Sequence, residues 1–277
     1  MKILSCGSGM QSTALALMAC ENKTKGIIHK EVPIYDAVIF CDLGLEPKWV
    51  MEQTMFIKAA CEDAGISFFI VESPLYKDYM NNFGKSRVTS IPFWSIDENG
   101  KKGRMLRNCT LDYKVNLIEK FFKYELLHYK FRQRIKPEDV KAHEMHIGFS
   151  KEEERRCKEN PGKFFVNKFP LCEMNLTRAD NYKYILEVWG LNTKASACCF
   201  CPFHTNYFFQ FIKNNEPEDY EKTVEFDEML ETEQPNTKIR SKLYISKSRK
   251  RIKDLIPEEC NDAECFLYKT KQIWNGF

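Results

Sequence analysis

Hydrophobic positions near the start of the chain fall into short apolar runs separated by longer mixed stretches. Lys2-Ile3-Leu4-Ser5-Cys6 is one such run, and it breaks at Gly7 and Gly9. From Ser12 to Cys20 the residues are small and apolar with no breaker, which predicts a helix. Tyr35-Asp36-Ala37-Val38-Ile39-Phe40-Cys41 has the pattern of a buried strand and ends at Asp42-Leu43-Gly44. Pro47 opens a predicted helix to about Ala64, where Gly65 suits the stop. Ile66 to Val71 predicts a third strand, and His143 to Phe149 repeats the strand signal before another helix. Strands alternating with helices at this spacing predict parallel β-α-β units. The expected fold class is α/β, a parallel sheet flanked by helices.

Three stretches interrupt that regularity. Residues 76–108 mix Asn, Gly, Lys and aromatics, and read as a long loop or insert over the sheet edge. Residues 110–135 read as helical and basic. Residues 214–234 are acidic, whereas 238–253 carry eight Lys and Arg and no acid. The expected division is a nucleotide-binding domain over 1–210 that includes a cysteine cluster, with an acidic and basic C-terminal appendage over 211–277.

Composition narrows the class. The chain has 277 residues, 43% of them hydrophobic and 13% aromatic, enough for a buried core and against disorder. With 42 Lys and Arg against 39 Asp and Glu the net charge is only +3, so a nucleic-acid surface would have to be a local patch. No apolar run reaches the roughly 18 residues that a membrane span needs. The N-terminus lacks the apolar stretch and cleavage site of a signal peptide, so the expected location is the cytoplasm, with no membrane partner. Twelve cysteines are many for such a chain. Cys20 and Cys61 sit among apolar residues as core groups, and a further cluster is expected to be chemical.

The first strand, the glycine segment Cys6-Gly7-Ser8-Gly9-Met10-Gln11-Ser12-Thr13 and the following helix form an arrangement suited to phosphate. Glycines let successive N–H groups turn towards one anion, and a helix N-terminus adds partial positive charge. Ser8, Ser12 and Thr13 add hydroxyls. No Lys follows Gly9, so this is not the G-x-x-x-x-G-K-[ST] loop.

Gly7-Ser8-Gly9-Met10-Gln11-Ser12 resembles the Ser-Gly-Gly-x-Asp-Ser loop of the PP-loop ATP pyrophosphatases, the adenine nucleotide alpha-hydrolase superfamily. It departs from that pattern at Gly7, Ser8 and Gln11. Gln11-Ser12-Thr13 is similar to a variant in the PAPS-reductase-like (phosphoadenosine phosphosulfate reductase) branch. Phe40 to Pro47 is similar to that branch's second-strand element. Arg107-x-Cys109-Thr110-x-Asp112-Tyr113-Lys114 and Ile147-Gly148-Phe149-Ser150-x-Glu152-Glu153-x-x-Arg156 resemble two further elements. Phe169-Pro170-Leu171, Thr177-Arg178-Ala179-Asp180 and Cys198-x-x-Cys201-Pro202-Phe203-His204 complete the series. The resemblance spans residue 3 to about 210.

The resemblance implies a Rossmann-like fold holding ATP with Mg2+ along the carboxyl edge of the sheet, at Ser5, Gly7, Ser8, Gly9, Gln11, Ser12, Thr13 and Asp42. It implies catalytic roles for Arg107, Lys114 and Cys109, and substrate contacts from Arg156 and Arg178. The expected activity is adenylylation of a substrate, for sulfur transfer or a related nucleic-acid modification. Alternatives are a sulfonucleotide (PAPS or APS) reductase, and a nucleotide-sensing or nucleic-acid-binding protein without catalysis. Gln11 in place of Asp is a poorer ligand for a hard cation.

Cys198 and Cys201, two residues apart, can clasp one metal. Cys109 is the expected third ligand and His204 or Cys199 the fourth. Three Cys and one His suit Zn2+, and a Cys-dominated set suits a [4Fe–4S] cluster; both stay open. Cys260 and Cys265 are expected to carry no metal. Lys101, Lys102, Arg104, Arg107 and Lys114 surround Cys109 in the sequence. Glu152 and Glu153 favour a helix N-terminus, Thr177 suits a helix cap, and His128, His143 and His146 lack ligand spacing. The 238–253 segment, with Tyr244 among its cations, is a candidate contact for tRNA or DNA phosphates.

Overall fold

A computed structural model describes residues 1–86 and 88–256. Cys260 and Cys265 lie outside the described residues. In chain order the strands and α-helices are β1 (Lys2–Cys6), α1 (Met10–Lys25), β2 (Ala37–Asp42), α2 (Lys48–Asp63), β3 (Ser67–Glu72), α3 (Leu75–Asn82), β4 (Trp94–Ile96), β5 (Lys102–Arg104), α4 (Asn116–Phe121), β6 (His143–Ile147), β7 (Phe165–Lys168), α5 (Pro170–Glu173), α6 (Arg178–Trp189), α7 (Asn206–Asn215), α8 (Pro217–Glu233) and β8 (Lys242–Tyr244).

The chain divides into two compact units. The first comprises Met1–Asp42, Trp49–Glu72 and Asn116–Ser196; the second takes the other described residues. This division differs from the expected single cut near residue 210. The reason is non-local pairing, because β4 lies between β5 and β8 in one antiparallel sheet, which ties residues 94–104 to 242–244. The expected loop over 76–108 accordingly contains α3 and the β4–β5 hairpin.

The first unit is built on a five-stranded parallel sheet of order β3-β2-β1-β6-β7, flanked by helices. β2 is buried from Ala37 to Cys41, as its unbroken apolar run demands of a central strand covered on both faces. α1 is buried all round its first three turns except at Gln11, and small Ala14, Ala16 and Ala19 allow close packing, including against α6. Gly65, at φ +70°, ends α2 as expected. The helix expected after β6 is a short 3₁₀ helix, Lys151–Arg156. The expected 110–135 helix is shorter, with π-helical turns on either side of α4 and no helix between Leu127 and Lys136.

The second unit gathers Tyr76, Tyr79, Phe93, Phe200 and Phe226 into one aromatic cluster, with Phe200 and Phe226 stacked 4.8 Å apart. Its basic run is only partly a surface feature. Arg251 is buried and meets Asp227 at 3.0 Å, while donating to the Leu243 carbonyl at 3.1 Å. Lys253 pairs with Glu228 at 2.8 Å. Two of the expected phosphate contacts are therefore already committed within the fold.

Candidate functional site

In the first unit the strand order turns back between β1 and β6, and an open α/β sheet places its ligand crevice at such a point. A cleft of about 310 Å³ lies at the carboxyl ends of these two strands. Ser5, Gly7, Gly9, Gln11, Ser12, Arg156 and Arg178 line it, together with Gly148, Phe149, Glu153 and Ser196. Seven of the ten residues expected to meet nucleotide or substrate thus line this cleft.

The loop is braced by its own side chains. Ser12 Oγ accepts from the Gly7 N–H and donates to the Gly9 carbonyl, both at 3.2 Å. Gly9 caps α1 without a side-chain hydrogen bond, so the first-turn N–H groups of a 16-residue helix meet no side-chain acceptor there. Gly148 is required by close approach, since a Cβ there would meet the Ser12 nitrogen at 2.7 Å.

Ser8 and Thr13 are placed differently from the rest of the expected set. Ser8 is fully buried with φ +53°, its hydroxyl 2.6 Å from Thr54 Oγ1 and its carbonyl accepting from Gln53 Nε2 at 2.6 Å. The left-handed backbone explains why glycine suits this position in the resembling loop. Thr13 is also fully buried, and neither residue lines the cleft. Asp42 ends β2 at the same sheet edge and is likewise not part of the lining.

Glu153 organises the cleft, a role that reading it only as a helix-dipole residue missed. Its Oε1 meets Arg178 at 3.0 Å and Arg156 more closely, and its Oε2 accepts from Gln11 Nε2 at 2.8 Å. Arg156 also stands 4.3 Å over the Phe149 ring, which stacks on Phe169. Arg178 Nε is shielded and has no hydrogen-bond partner among the described residues. Burial opposes ionisation of Glu152, but bonds from Ser150 and the Arg178 backbone hold its carboxyl below the usual range. Two guanidiniums against one central carboxylate, beside a helix N-terminus, favour an anion. Mg2+ finds no free carboxylate in this lining, because Glu153 is occupied by two arginines and Gln11 is neutral.

Arg107, Cys109 and Lys114 belong to the second unit, as do Cys198, Cys199, Cys201 and His204. Cys198 and Cys201 form a tight turn, the Cys201 N–H donating to the Cys198 carbonyl at 3.1 Å. Desolvation pushes the Cys198 thiol well up, with Glu46 adding to it, and pushes Cys201 up against the opposing charges of Arg107 and Lys114. His204 is held through one ring nitrogen. Its Nε2 lies 2.8 Å from the Cys198 carbonyl, its ring stacks on Phe208, and burial lowers its pKa to about 4. Cys199 is fully buried, with its N–H on the Leu45 carbonyl and its thiol bonded to Thr223. Among the described residues no three His, Cys, Asp or Glu side chains come together to hold a metal. Charge on Cys109 adds to the rise at both Cys198 and Cys201, so these three expected thiols share one neighbourhood.

No protein-family model matches the chain, and no curated protein matches it. No helix of the described residues is long and apolar enough to cross a membrane.

Proposed function

We propose that the cleft binds the phosphate chain of an adenine nucleotide, and that the protein is a PP-loop ATP pyrophosphatase that adenylylates an acceptor. The observation supporting this reading is the meeting of an uncapped α1 N-terminus with Arg156 and Arg178 at the point where the sheet order reverses. In the reaction an acceptor oxygen forms a bond to the α-phosphorus. The bond from that phosphorus to the bridging oxygen breaks, and pyrophosphate leaves with the electron pair. Negative charge shifts onto phosphate oxygens, where fixed N–H donors and guanidiniums stabilise it without reorganising. The adenylylated acceptor is then open to displacement of AMP, as sulfur transfer or a related nucleic-acid modification requires.

The test is calorimetry with ATP and with adenosine, beside a pyrophosphate-release assay. ATP should bind and adenosine should not, because the cleft's donors address phosphate. Arg178→Gln should weaken ATP binding by roughly tenfold, as loss of a charge-assisted contact does. Failure of ATP to bind would overturn the reading. A second reading, nucleotide sensing without catalysis, is favoured by one observation: Gln11 holds Glu153 where the resembling loop has an acid. ATP binding with no pyrophosphate release on any acceptor would select it.

A further inference from the structure

Five side chains of the second unit form an alternating ladder of cations and rings. Arg249 and Arg104 stand over the Trp94 indole at 5.3 and 5.4 Å. Arg104 also stands over Phe203 at 5.0 Å, and Arg107 stands over the same ring at 5.2 Å. Trp94 comes from β4, Arg104 from β5, Phe203 from the turn after Cys201, and Arg249 from the segment after β8.

The ladder is held from beneath. Trp94 Nε1 donates to the Pro202 carbonyl at 2.7 Å, which fixes the indole beside the Phe203 turn. Arg249 donates to the Ser95 carbonyl at 3.1 Å and to the Gly103 carbonyl at 3.2 Å, spanning β4 and β5. Its outer parts are open: Arg104 and Arg107 are exposed and Phe203 is 43% exposed.

None of the three arginines forms an ion pair with a carboxylate among the described residues; their polar partners are carbonyls and the Thr110 hydroxyl. Lys101 and Lys102 precede Arg104 at the exposed edge strand, and Lys247 is exposed near Arg249. The acids of the hairpin are Asp97 and Glu98. Asp97 is engaged by the N–H groups of Asn99 and Lys101 in the turn. The surface is thus cationic and unneutralised, which calls for a polyanion. It is also a run of flat faces, rings and guanidinium planes alike, and these stack on bases. An acidic peptide would meet the charge but offer nothing to the planes. A duplex would hide its base faces.

We infer that this ladder is a binding surface for single-stranded nucleic acid, its cations meeting phosphates and its planes meeting bases. The inference rests on the second unit and not on the ATP reading.

The experiment uses the full chain without nucleotide. A fluorescently labelled mixed-sequence 20-mer is titrated as single-stranded RNA, as single-stranded DNA and as duplex DNA, with poly-glutamate as competitor. At least one single strand should bind roughly tenfold tighter than the duplex, with affinity falling as salt rises. Arg104→Gln should weaken binding roughly tenfold, and Arg104→Lys should restore less than half of that loss in log affinity, since it returns charge without a plane. As a check that needs no charge variant, single strand should quench the wild-type tryptophan emission and quench Trp94→Phe less. Absence of single-strand binding at low salt would overturn the inference. So would equal affinity for duplex, displacement by poly-glutamate at equal charge, or unchanged binding in Arg104→Gln with its melting temperature retained.

Discussion

Gln11 Nε2 donates to Glu153 Oε2 across 2.8 Å, joining the first turn of α1 to the 3₁₀ helix that carries Arg156. The carboxylate facing position 11 gives a physical reason for an amide there. An Asp, as in the resembling loop, would set two acids against each other. Gln11→Asp should therefore lower stability by about 1–2 kcal/mol. Adding Glu153→Gln should recover part of that loss. A double-mutant cycle by denaturant unfolding checks it, and strictly additive effects would exclude the coupling.

Arg251 and Arg249 lie two residues apart in the same basic run but should behave oppositely. Arg251 is 9% exposed and bonded to Asp227, so Arg251→Ala leaves a buried acid without its partner and should cost about 3–5 kcal/mol. Arg249→Ala loses hydrogen bonds to carbonyls at a less buried site and should cost less than half as much. Thermal melts of the two variants compare them directly.

Cys157 and Cys172 sulfurs are 3.6 Å apart and part-exposed, whereas Cys20 and Cys61 are 3.8 Å apart and buried. A mild disulfide oxidant should join the first pair, the two thiols giving up two protons and two electrons to it. The second pair should stay reduced, for want of access. Burial pushes the Cys172 thiol up to about 12, with Cys157 adding to it, so the reaction should quicken with rising pH. Peptide mass mapping after timed oxidation reads both outcomes.

Burial lowers the pKa of His146, against the opposing pull of Glu144. An unfolded histidine titrates near 6.5, so below that pH the unfolded chain binds more protons than the folded one. Stability should therefore fall as pH drops below about 6.5. His143 is shifted the same way, again chiefly by burial. Replacing His146 with Phe should flatten the fall in melting temperature between pH 7 and the folded-state pKa, and an unchanged slope would assign the effect elsewhere.

β1, β2 and β3 were legible because each is a compact, mostly apolar run bounded by Gly or acidic positions. β7 was not, since Phe165-Val166-Asn167-Lys168 is an edge strand with alternate exposure that is too short to stand out. The β4–β5–β8 sheet was hidden for a different reason. Its three-residue strands gain their meaning only when Trp94 pairs with Tyr244, far away in sequence. Within the cleft, Gly7, Gly9 and Ser12 could be read from local loop chemistry. The burial of Ser8 depends on Thr54, and the role of Glu153 depends on Arg178, so both needed tertiary contacts to be seen. The Cys198–Cys201 turn was legible as a turn, but its spacing carried no information about where His204 would point its ring.

The interleaving of the two units has a consequence for how the chain is made. Synthesis proceeds from the N-terminus, and domains generally fold as they emerge. Every segment of the first unit has been translated once Ser196 has emerged. The second unit at that moment owns only Leu43–Lys48 and Ser73–Val115, with Trp94 still lacking its β8 partner and Tyr76 still lacking Phe200 and Phe226. Its apolar surface must wait, exposed, for the final quarter of the message. A stop codon near residue 210 would leave it without Phe226 and β8, so premature termination should yield a sticky product for chaperones and proteases rather than a trimmed but working first unit.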